Sequence, residues 1–257
     1  MPTAPHKVAL VTGAAKRLGR HIALALVQRG WDVAVHYGHS HAEAQAVVAE
    51  IAALGRRAVA LHCDLLDQAA LRQLLPCAIA ALGPVSCVVN NAALFDYDSA
   101  EDFSIARLDA HMHVNLAAPI VLAQALHAAT PDGAQAVVIN LLDQKLFNLN
   151  PDFLSYTLSK AALQSATTML AQALAPKLRV VGIAPGITLA SSDQSGADFA
   201  SAHQVTPLGR SSSADDIAAA VCFLAEAGAI TGTTLLVDGG QHLIPLPRDV
   251  MFVAQSS

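Results

Sequence analysis

The stretch Val8-Ala9-Leu10-Val11-Thr12-Gly13-Ala14-Ala15-Lys16-Arg17-Leu18-Gly19 decides the fold of this chain. A short apolar run, suited to a buried strand, ends in a glycine-bearing turn. From Arg17 to Arg29 the apolar residues then recur with helical period, and Gly30 stops them. A strand that turns through glycine into a helix brings backbone N–H groups and the positive end of a helix to one point, which suits a pyrophosphate. The spacing is not G-x-G-x-x-G. Arg17 stands where a T-G-x-x-x-G-x-G variant would place its middle glycine.

The same alternation runs outward to the end of the chain. Trp31 to Tyr37 reads as a strand, Ser40 to Leu54 as a helix, Arg57 to Cys63 as a strand and Gln68 to Leu82 as a helix. Strands follow at Val85 to Asn90, Ala134 to Leu142, Arg179 to Ile183 and Thr234 to Val237. The helices between them are Ala106 to Ala129, Ser155 to Ala175 and Ala214 to Glu226. Strand–helix repetition predicts an α/β fold, a doubly wound parallel sheet with helices on both faces. No second domain or repeat is visible, so residues 1–257 read as a single Rossmann domain. Two segments lack clear structure, Gln144 to Leu154 and Gly186 to Arg210. Both begin at carboxyl ends of strands, where such sheets bind ligands.

The 257 residues are 54% hydrophobic, 14% charged and 4% aromatic, which excludes disorder and calls for a core of Ala, Val, Leu and Ile. A net charge of -5 argues against nucleic-acid and anionic-membrane partners. Mean hydropathy is high at +0.45, but no uninterrupted apolar run approaches the ~20 residues of a spanning helix. Met1 to His6 holds two prolines and no apolar core, against a signal peptide. Cys63, Cys77, Cys87 and Cys222 form no C-x-x-C pair and read as free thiols of a reducing, cytoplasmic compartment. The eleven histidines are scattered without H-E-x-x-H, so no metal site is expected.

The end of the second strand selects the dinucleotide. A site for NAD places Asp or Glu there to bind ribose hydroxyls. This chain reads His36-Tyr37-Gly38-His39-Ser40, with no acid until Glu43. Ser40, His39 when protonated, and Arg17 can donate to a 2′-phosphate that a carboxylate would repel, so NADPH is the expected cofactor. His39 and Ser40 also read as caps of the following helix. Asp64 and Leu65 would bracket adenine, and Asn90-Asn91-Ala92-Ala93 lets a ribose pass close to the backbone.

Tyr156 and Lys160 stand at i and i+4 on one helix face. An ammonium within ~4–6 Å favours phenolate and would lower the tyrosine from its usual value near 10. The pair is thus a proton donor with its tuner. With the glycine turn, Asn91, Asn115, Pro185-Gly186 and Val237-Asp238-Gly239-Gly240 in order, the chain resembles the short-chain dehydrogenase/reductase family over essentially its whole length. The resemblance implies a seven-stranded sheet, a nicotinamide cofactor, a homotetramer, and a water-linked proton path supported by Asn115.

Departures narrow the resemblance. The family's usual serine, thirteen residues before the tyrosine, is Asp143; the middle glycine is Arg17; and Phe95 follows the Asn-Asn-Ala turn. With His36-Tyr37, the pattern looks like the pteridine reductases and the dihydromonapterin or alternative dihydrofolate reductases. That likeness makes Gly13, Arg17, Leu18, Gly19, Tyr37, His39, Ser40, Asp64, Leu65, Asn91, Ala92, Lys160, Pro185, Gly186 and Thr188 the cofactor contacts. It makes Arg17, Phe95, Asp143 and Tyr156 the substrate contacts, and Asp143, Tyr156, Lys160 and Asn115 the catalytic set. The implied reaction is hydride transfer to a pterin or dihydrofolate-type C=N bond, with Tyr156 and Asp143 delivering the proton.

The second enzyme reading is a carbonyl reductase acting on a small ketone, a sugar or a 3-oxoacyl thioester; the third is a non-catalytic dinucleotide sensor. Lys145 and Phe147 are candidates to line the same cleft, and Asp152 to pair with Lys145 or a solvent neighbour. Residues 186–210 read as a mobile lid. The apolar, proline-bearing tail from about 243 to 257 is expected to dock on a neighbouring subunit, near an active site.

Overall fold

The computed structural model describes residues 7–189 and 206–253. Most of the expected lid, including Ser191 to Gly196, lies outside the described residues, as do residues 1–6 and 254–257.

Seven parallel strands form one sheet in the order β3-β2-β1-β4-β5-β6-β7. They are β1 (Val8–Val11), β2 (Asp32–Tyr37), β3 (Ala58–His62), β4 (Cys87–Asn90), β5 (Ala136–Leu141), β6 (Leu178–Pro185) and β7 (Thr234–Val237). The helices are α1 (Arg17–Gln28), α2 (His41–Ala53), α3 (Gln68–Leu82), α4 (Ile105–Met112), α5 (Ala118–Ala129), α6 (Leu154–Ala173), α7 (Ala214–Glu226) and the short α8 (Val250–Val253). The doubly wound architecture read from the sequence is the one observed.

Period-2 alternation explains why both faces need cover. In β1, Ala9 and Val11 join an apolar layer with α1, α2 and α7, while Val8 and Leu10 join the opposite layer with α3 and α5. In β5, Val137 and Ile139 face the first layer and Ala136 and Val138 the second. The strand order reverses between β1 and β4, and the functional cleft of a doubly wound sheet forms at such a reversal.

The predicted helix 106–129 is α4 and α5 joined by a π-turn, His113–Ala117. Among the described residues this span, Ile105–Ala129, is the one helix long and apolar enough to cross a membrane, with a hydropathy of 1.2. It holds no long uninterrupted apolar run, because Arg107, Asp109, His111, His113, Asn115, Gln124 and His127 interrupt it. Its Ala118, Leu122, Ala123 and Leu126 are packed in the layer shared with α3.

The tail makes contacts within its own chain: Asn148 donates to the Ile244 carbonyl, Arg248 grips Asp152, and Phe252 packs on Phe153 and Tyr97.

Candidate active site

Thr12 ties the glycine turn to β4. Its buried hydroxyl accepts the N–H groups of Asn91 at 2.9 Å and Ala92 at 3.0 Å. Asn91 returns its amide to the Thr12 carbonyl at 2.8 Å and the Gly13 carbonyl at 3.2 Å. Gly13 has φ +62°, and a Cβ on Gly19 would come within 2.2 Å of the Gly13 carbonyl oxygen. Glycine at 19 is therefore what lets α1 start against the turn. Arg17 has φ +50°, the left-handed conformation a glycine would adopt freely, at a cost of about 1–2 kcal/mol.

His36 is a structural residue that sequence reasoning left without a role. The Gly13 N–H donates to its Nδ1 at 3.0 Å, and its Nε2 lies 3.0 Å from the Cys63 carbonyl. The imidazole is therefore neutral with its proton on Nε2. Burial pushes its pKa down to about 4. The only sequence signal was a polar ring inside an otherwise apolar strand.

At the end of β2, Tyr37 is buried with its hydroxyl 2.6 Å from His41 Nδ1, and His39 is exposed. Ser40 occupies the N-cap position of α2, yet its side chain makes no cap bond. Glu43, the first acid of α2, is held by Lys16 at 2.6 Å, and that ammonium keeps its carboxyl below the usual range. The Glu43 charge is thus compensated by a lysine that the sequence reading passed over. Asp64, at the end of β3, is exposed and accepts the Leu66 N–H at 2.9 Å; Leu65 is buried.

The Tyr156 hydroxyl donates to Asp143 Oδ2 at 2.8 Å. Asp143 Oδ1 accepts the Lys145 N–H, also at 2.8 Å, and so caps the 3-10 turn Gln144–Phe147. One carboxylate thus both accepts from Tyr156 and caps the turn. Burial pushes the Asp143 carboxyl above its ordinary value. Burial, then the Asp143 charge, push the Tyr156 phenol well above its own. Lys160 donates to the Leu141 carbonyl at 2.7 Å, lies 5.7 Å from the Tyr156 ring centre, and is held down to about 8 by desolvation. Burial and the Asp143 charge thus act on Tyr156 in the direction opposite to the lowering expected from Lys160.

The start of α6 has an unusual cap. Phe153, at the N-cap position, has φ +55° and supplies no side-chain acceptor. The fully buried Asp98 supplies one instead, accepting the Ser155 N–H at 2.9 Å and the Ser155 hydroxyl. Asn115, in the π-turn, spends its side chain on Leu94 and Ser159. A proton path through Asn115 would accordingly run by its backbone carbonyl.

These elements enclose a cleft of about 320 Å³. It brings together Arg17, Leu18, Asn91, Phe95, Asp143, Tyr156, Lys160, Pro185, Gly186 and Thr188. Gly13, Gly19, Tyr37, His39, Ser40, Asp64, Leu65, Ala92 and Asn115 do not line it; all but Ala92 and Asn115 follow the carboxyl ends of β1 to β3. Phe95 is 44% exposed, stacked on Phe153 at 4.3 Å and edge-to-face with Tyr156 at 4.6 Å. Thr188 donates to the Gly186 carbonyl, with the Ser212 hydroxyl at 2.7 Å, and Gln241 accepts the Ile187 N–H at 3.0 Å. Lys145 lines the cleft as expected, whereas Phe147 stands in a separate groove beside Gln164 and Thr234. Gln241, which sequence reasoning missed, lines it as well, together with Asp249 and Val250 of the tail.

The family model described as enoyl-(acyl carrier protein) reductase matches residues 13–242. The alternative dihydrofolate reductase FolM from Brucella canis, crystallised with NADP, is 39% identical, covers 96% of this chain and 97% of its own, and superposes with a TM-score of 0.90. A short-chain dehydrogenase from Burkholderia cenocepacia in complex with NADP is 36% identical over 91% and 97%, with a TM-score of 0.84. A 3-oxoacyl-[acyl-carrier-protein] reductase from Staphylococcus aureus is 31% identical over 92% of this chain and 98% of its own.

Proposed function

This chain belongs to the short-chain dehydrogenase/reductase family and is an NADP-dependent oxidoreductase, and we propose that it reduces a C=N bond in a pterin- or dihydrofolate-type ring. The observation that carries this reading is the 2.8 Å bond from Tyr156 to a carboxylate, Asp143. Reducing a ketone creates an alkoxide, which a carboxylate so close to the donor would oppose. Reducing a ring C=N instead needs a proton at nitrogen. A carboxyl pushed up by burial and bonded to a phenol can take up, hold and pass on that proton.

The residues present fit NADPH. The turn of Gly13 and Gly19 offers N–H donors at a helix start, and a Cβ on Gly13 would meet Asn91 and Ala92 at 3.1–3.2 Å. Arg17, His39 and Ser40 would hold the 2′-phosphate, with Glu43 neutralised by Lys16. Tyr37, Asp64, Leu65 and Ala92 would flank the adenosine half; Leu18, Asn91, Lys160, Pro185, Gly186 and Thr188 the nicotinamide half. NADPH, when bound, supplies a hydride to an electron-poor ring carbon. Around that chemistry, Phe95 offers a flat wall to a heterocycle, Tyr156 holds a proton on its hydroxyl, and Lys160 fixes the floor through Leu141. Asn115 braces the helix that carries Tyr156 through Ser159.

The free thiols Cys63, Cys87 and Cys222, all buried, suit a reducing cytoplasm, and Leu158 and Met169, exposed on α6, favour association into a homotetramer. FolM from Brucella canis is named a dihydrofolate reductase, which accords with the proposed substrate class. The 3-oxoacyl relative favours the carbonyl-reductase alternative. NADPH oxidation by purified protein, with dihydrobiopterin, dihydromonapterin, dihydrofolate and a diketone as acceptors, separates the two. Turnover of a pterin or folate supports the proposal; turnover of the diketone alone overturns it.

A further inference from the structure

The C-terminal segment reaches the cleft through a chain of charges. Lys145 is buried, and its ammonium donates to the Asp152 carbonyl at 2.6 Å and to Asp249 Oδ2 at 3.1 Å. The Asp152 carboxylate accepts from Arg248 at 2.8–3.0 Å and from the Asp249 N–H at 2.7 Å. Arg248 also lies 5.0 Å above the Phe252 ring, which packs on Phe153. Asp249 is thereby fixed on both its backbone and its side chain, and it lines the same cleft as Asp143, Tyr156 and Phe95.

We propose that the segment Ile244–Val253 is a wall of the active site and that Asp249 is a specificity-determining residue. Its carboxylate, oriented by Lys145, accepts hydrogen bonds from the donor edge of a flat 2-amino heterocycle. The inference rests on the reading of the site given under Proposed function and adds the group that selects the substrate. A carboxylate has about four acceptor positions, enough to accept from an N–H and an amino group together beside its bond to Lys145. Its nearness to the reacting pair is independent of that chemistry: the Asp249 charge contributes to raising both Asp143 and Tyr156. A substrate whose donors engage Asp249 therefore also eases the charge beside the proton-holding pair.

The test uses the full chain loaded with NADP and two probes, 2-amino-4-oxopteridine and 4-oxopteridine lacking the amino group, titrated by calorimetry. Turnover of dihydrobiopterin and of a diketone is followed in parallel. The native protein is expected to prefer the amino compound by about tenfold or more, about 1.4 kcal/mol. Asp249→Asn is expected to bring that ratio near one and to raise KM for dihydrobiopterin far more than it lowers kcat. Retained preference in Asp249→Asn, with dihydrobiopterin still reduced, overturns the role of Asp249 and leaves the reductase reading standing. Equal losses for both pteridines and for the diketone, with a lowered Tm, also overturn it, because they mark a merely structural contact. If the native protein binds neither pteridine and reduces only the diketone, the reductase reading falls and this inference falls with it. Should Asp249→Asn not fold, Asp249→Glu keeps the charge for Lys145 but moves the acceptor by one methylene. It is expected to lower the ratio about threefold, and an unchanged ratio overturns the proposal.

Discussion

Replacing Asp143 by serine restores the residue that the wider family carries and separates chemistry from stability. The carboxylate holds two contacts, Tyr156 on one oxygen and the Lys145 N–H on the other. Losing the second, a turn cap, costs about 1 kcal/mol unless the serine hydroxyl takes it over. Removing the first works the other way on folding. Burial raises the Asp143 carboxyl, so the folded chain binds its proton more readily than the unfolded chain. The resulting penalty grows as pH rises from about 4 through the raised value and stands in full above it. Serine removes that penalty. The opposed effects leave the neutral-pH Tm of Asp143→Ser within about 3 °C of the native value.

The effect on catalysis is larger. A positioned proton carrier contributes about 10²–10⁴ in rate, which is about 3–5 kcal/mol at 1.36 kcal/mol per tenfold. Steady-state NADPH consumption should show kcat for dihydrobiopterin falling by about 10²-fold or more, with NADPH affinity within about twofold of native. Asp143→Asn keeps the shape and an acceptor oxygen but cannot carry a proton, and should lose as much. The reasoning is refuted if NADPH affinity falls in step with kcat, or if Asp143→Asn keeps its rate. In the latter case Asp143 only orients Tyr156.

Three further outcomes follow from the geometry. Arg17→Gly accepts φ +50° freely and should raise Tm by about 1–4 °C, while loss of the guanidinium weakens NADPH about tenfold or more; a lowered Tm in thermal scans would show that the side chain's contacts outweigh the backbone cost. His36 is neutral when folded, so its share of stability is complete above about pH 6.5 and is lost as pH falls towards 4; 6.5 against about 4 gives at most about 3 kcal/mol. His36→Gln should flatten that part of the pH–stability curve, and an unchanged slope would count against the assignment. Asp98→Ala leaves the start of α6 uncapped and should cost about 2 kcal/mol in denaturant unfolding, with kcat falling more than KM rises because Tyr156 is the next residue along; native stability would refute it.

What the sequence made legible is what is decided locally. The turn from β1 to α1 follows from glycine at 13 and 19, because only close approach explains them, and the sheet follows from the alternation of apolar strands with helices. Tyr156 and Asp143 were readable as a pair because the family resemblance implies a partner thirteen residues before the tyrosine. The behaviour of that pair was not. Charge proximity suggested that Lys160 would lower Tyr156, but desolvation acts on the phenol and the ammonium together and depends on packing that no spacing reveals. His36 was opaque for a related reason: its two partners, Gly13 and Cys63, come from different loops. The tail's apolar, proline-bearing composition pointed to docking on a neighbouring subunit and held no signal for contacts within the chain. That the tail also contacts its own chain depends on Arg248 meeting Asp152 across 96 residues of sequence.

The charges around the cleft share one arrangement. Two cations, Lys145 and Arg248, are held against two anions, Asp249 and Asp152. Lys160, the remaining buried ammonium of the cleft, donates to a carbonyl. Asp143 is left with donors that are formally neutral, a phenol and a backbone N–H, and no cation stands at ion-pair distance from it among the described residues. An adjacent guanidinium would hold that carboxyl ionised at every working pH and bar it from carrying a proton. The tail network thus has a consequence beyond anchoring the chain: it keeps Lys145, whose own backbone N–H touches Asp143, from turning its ammonium there. Lys145→Met should therefore leave Asp143 chemically competent while loosening the tail, whereas cutting Asp249 out of the pair leaves the ammonium on the Asp152 carbonyl without its counter-charge, beside the proton carrier. The pH profile of kcat distinguishes the two. It should keep its acid limb in Lys145→Met and shift it to lower pH in Asp249→Ala; the same limb in both variants would refute the separation of charges argued here.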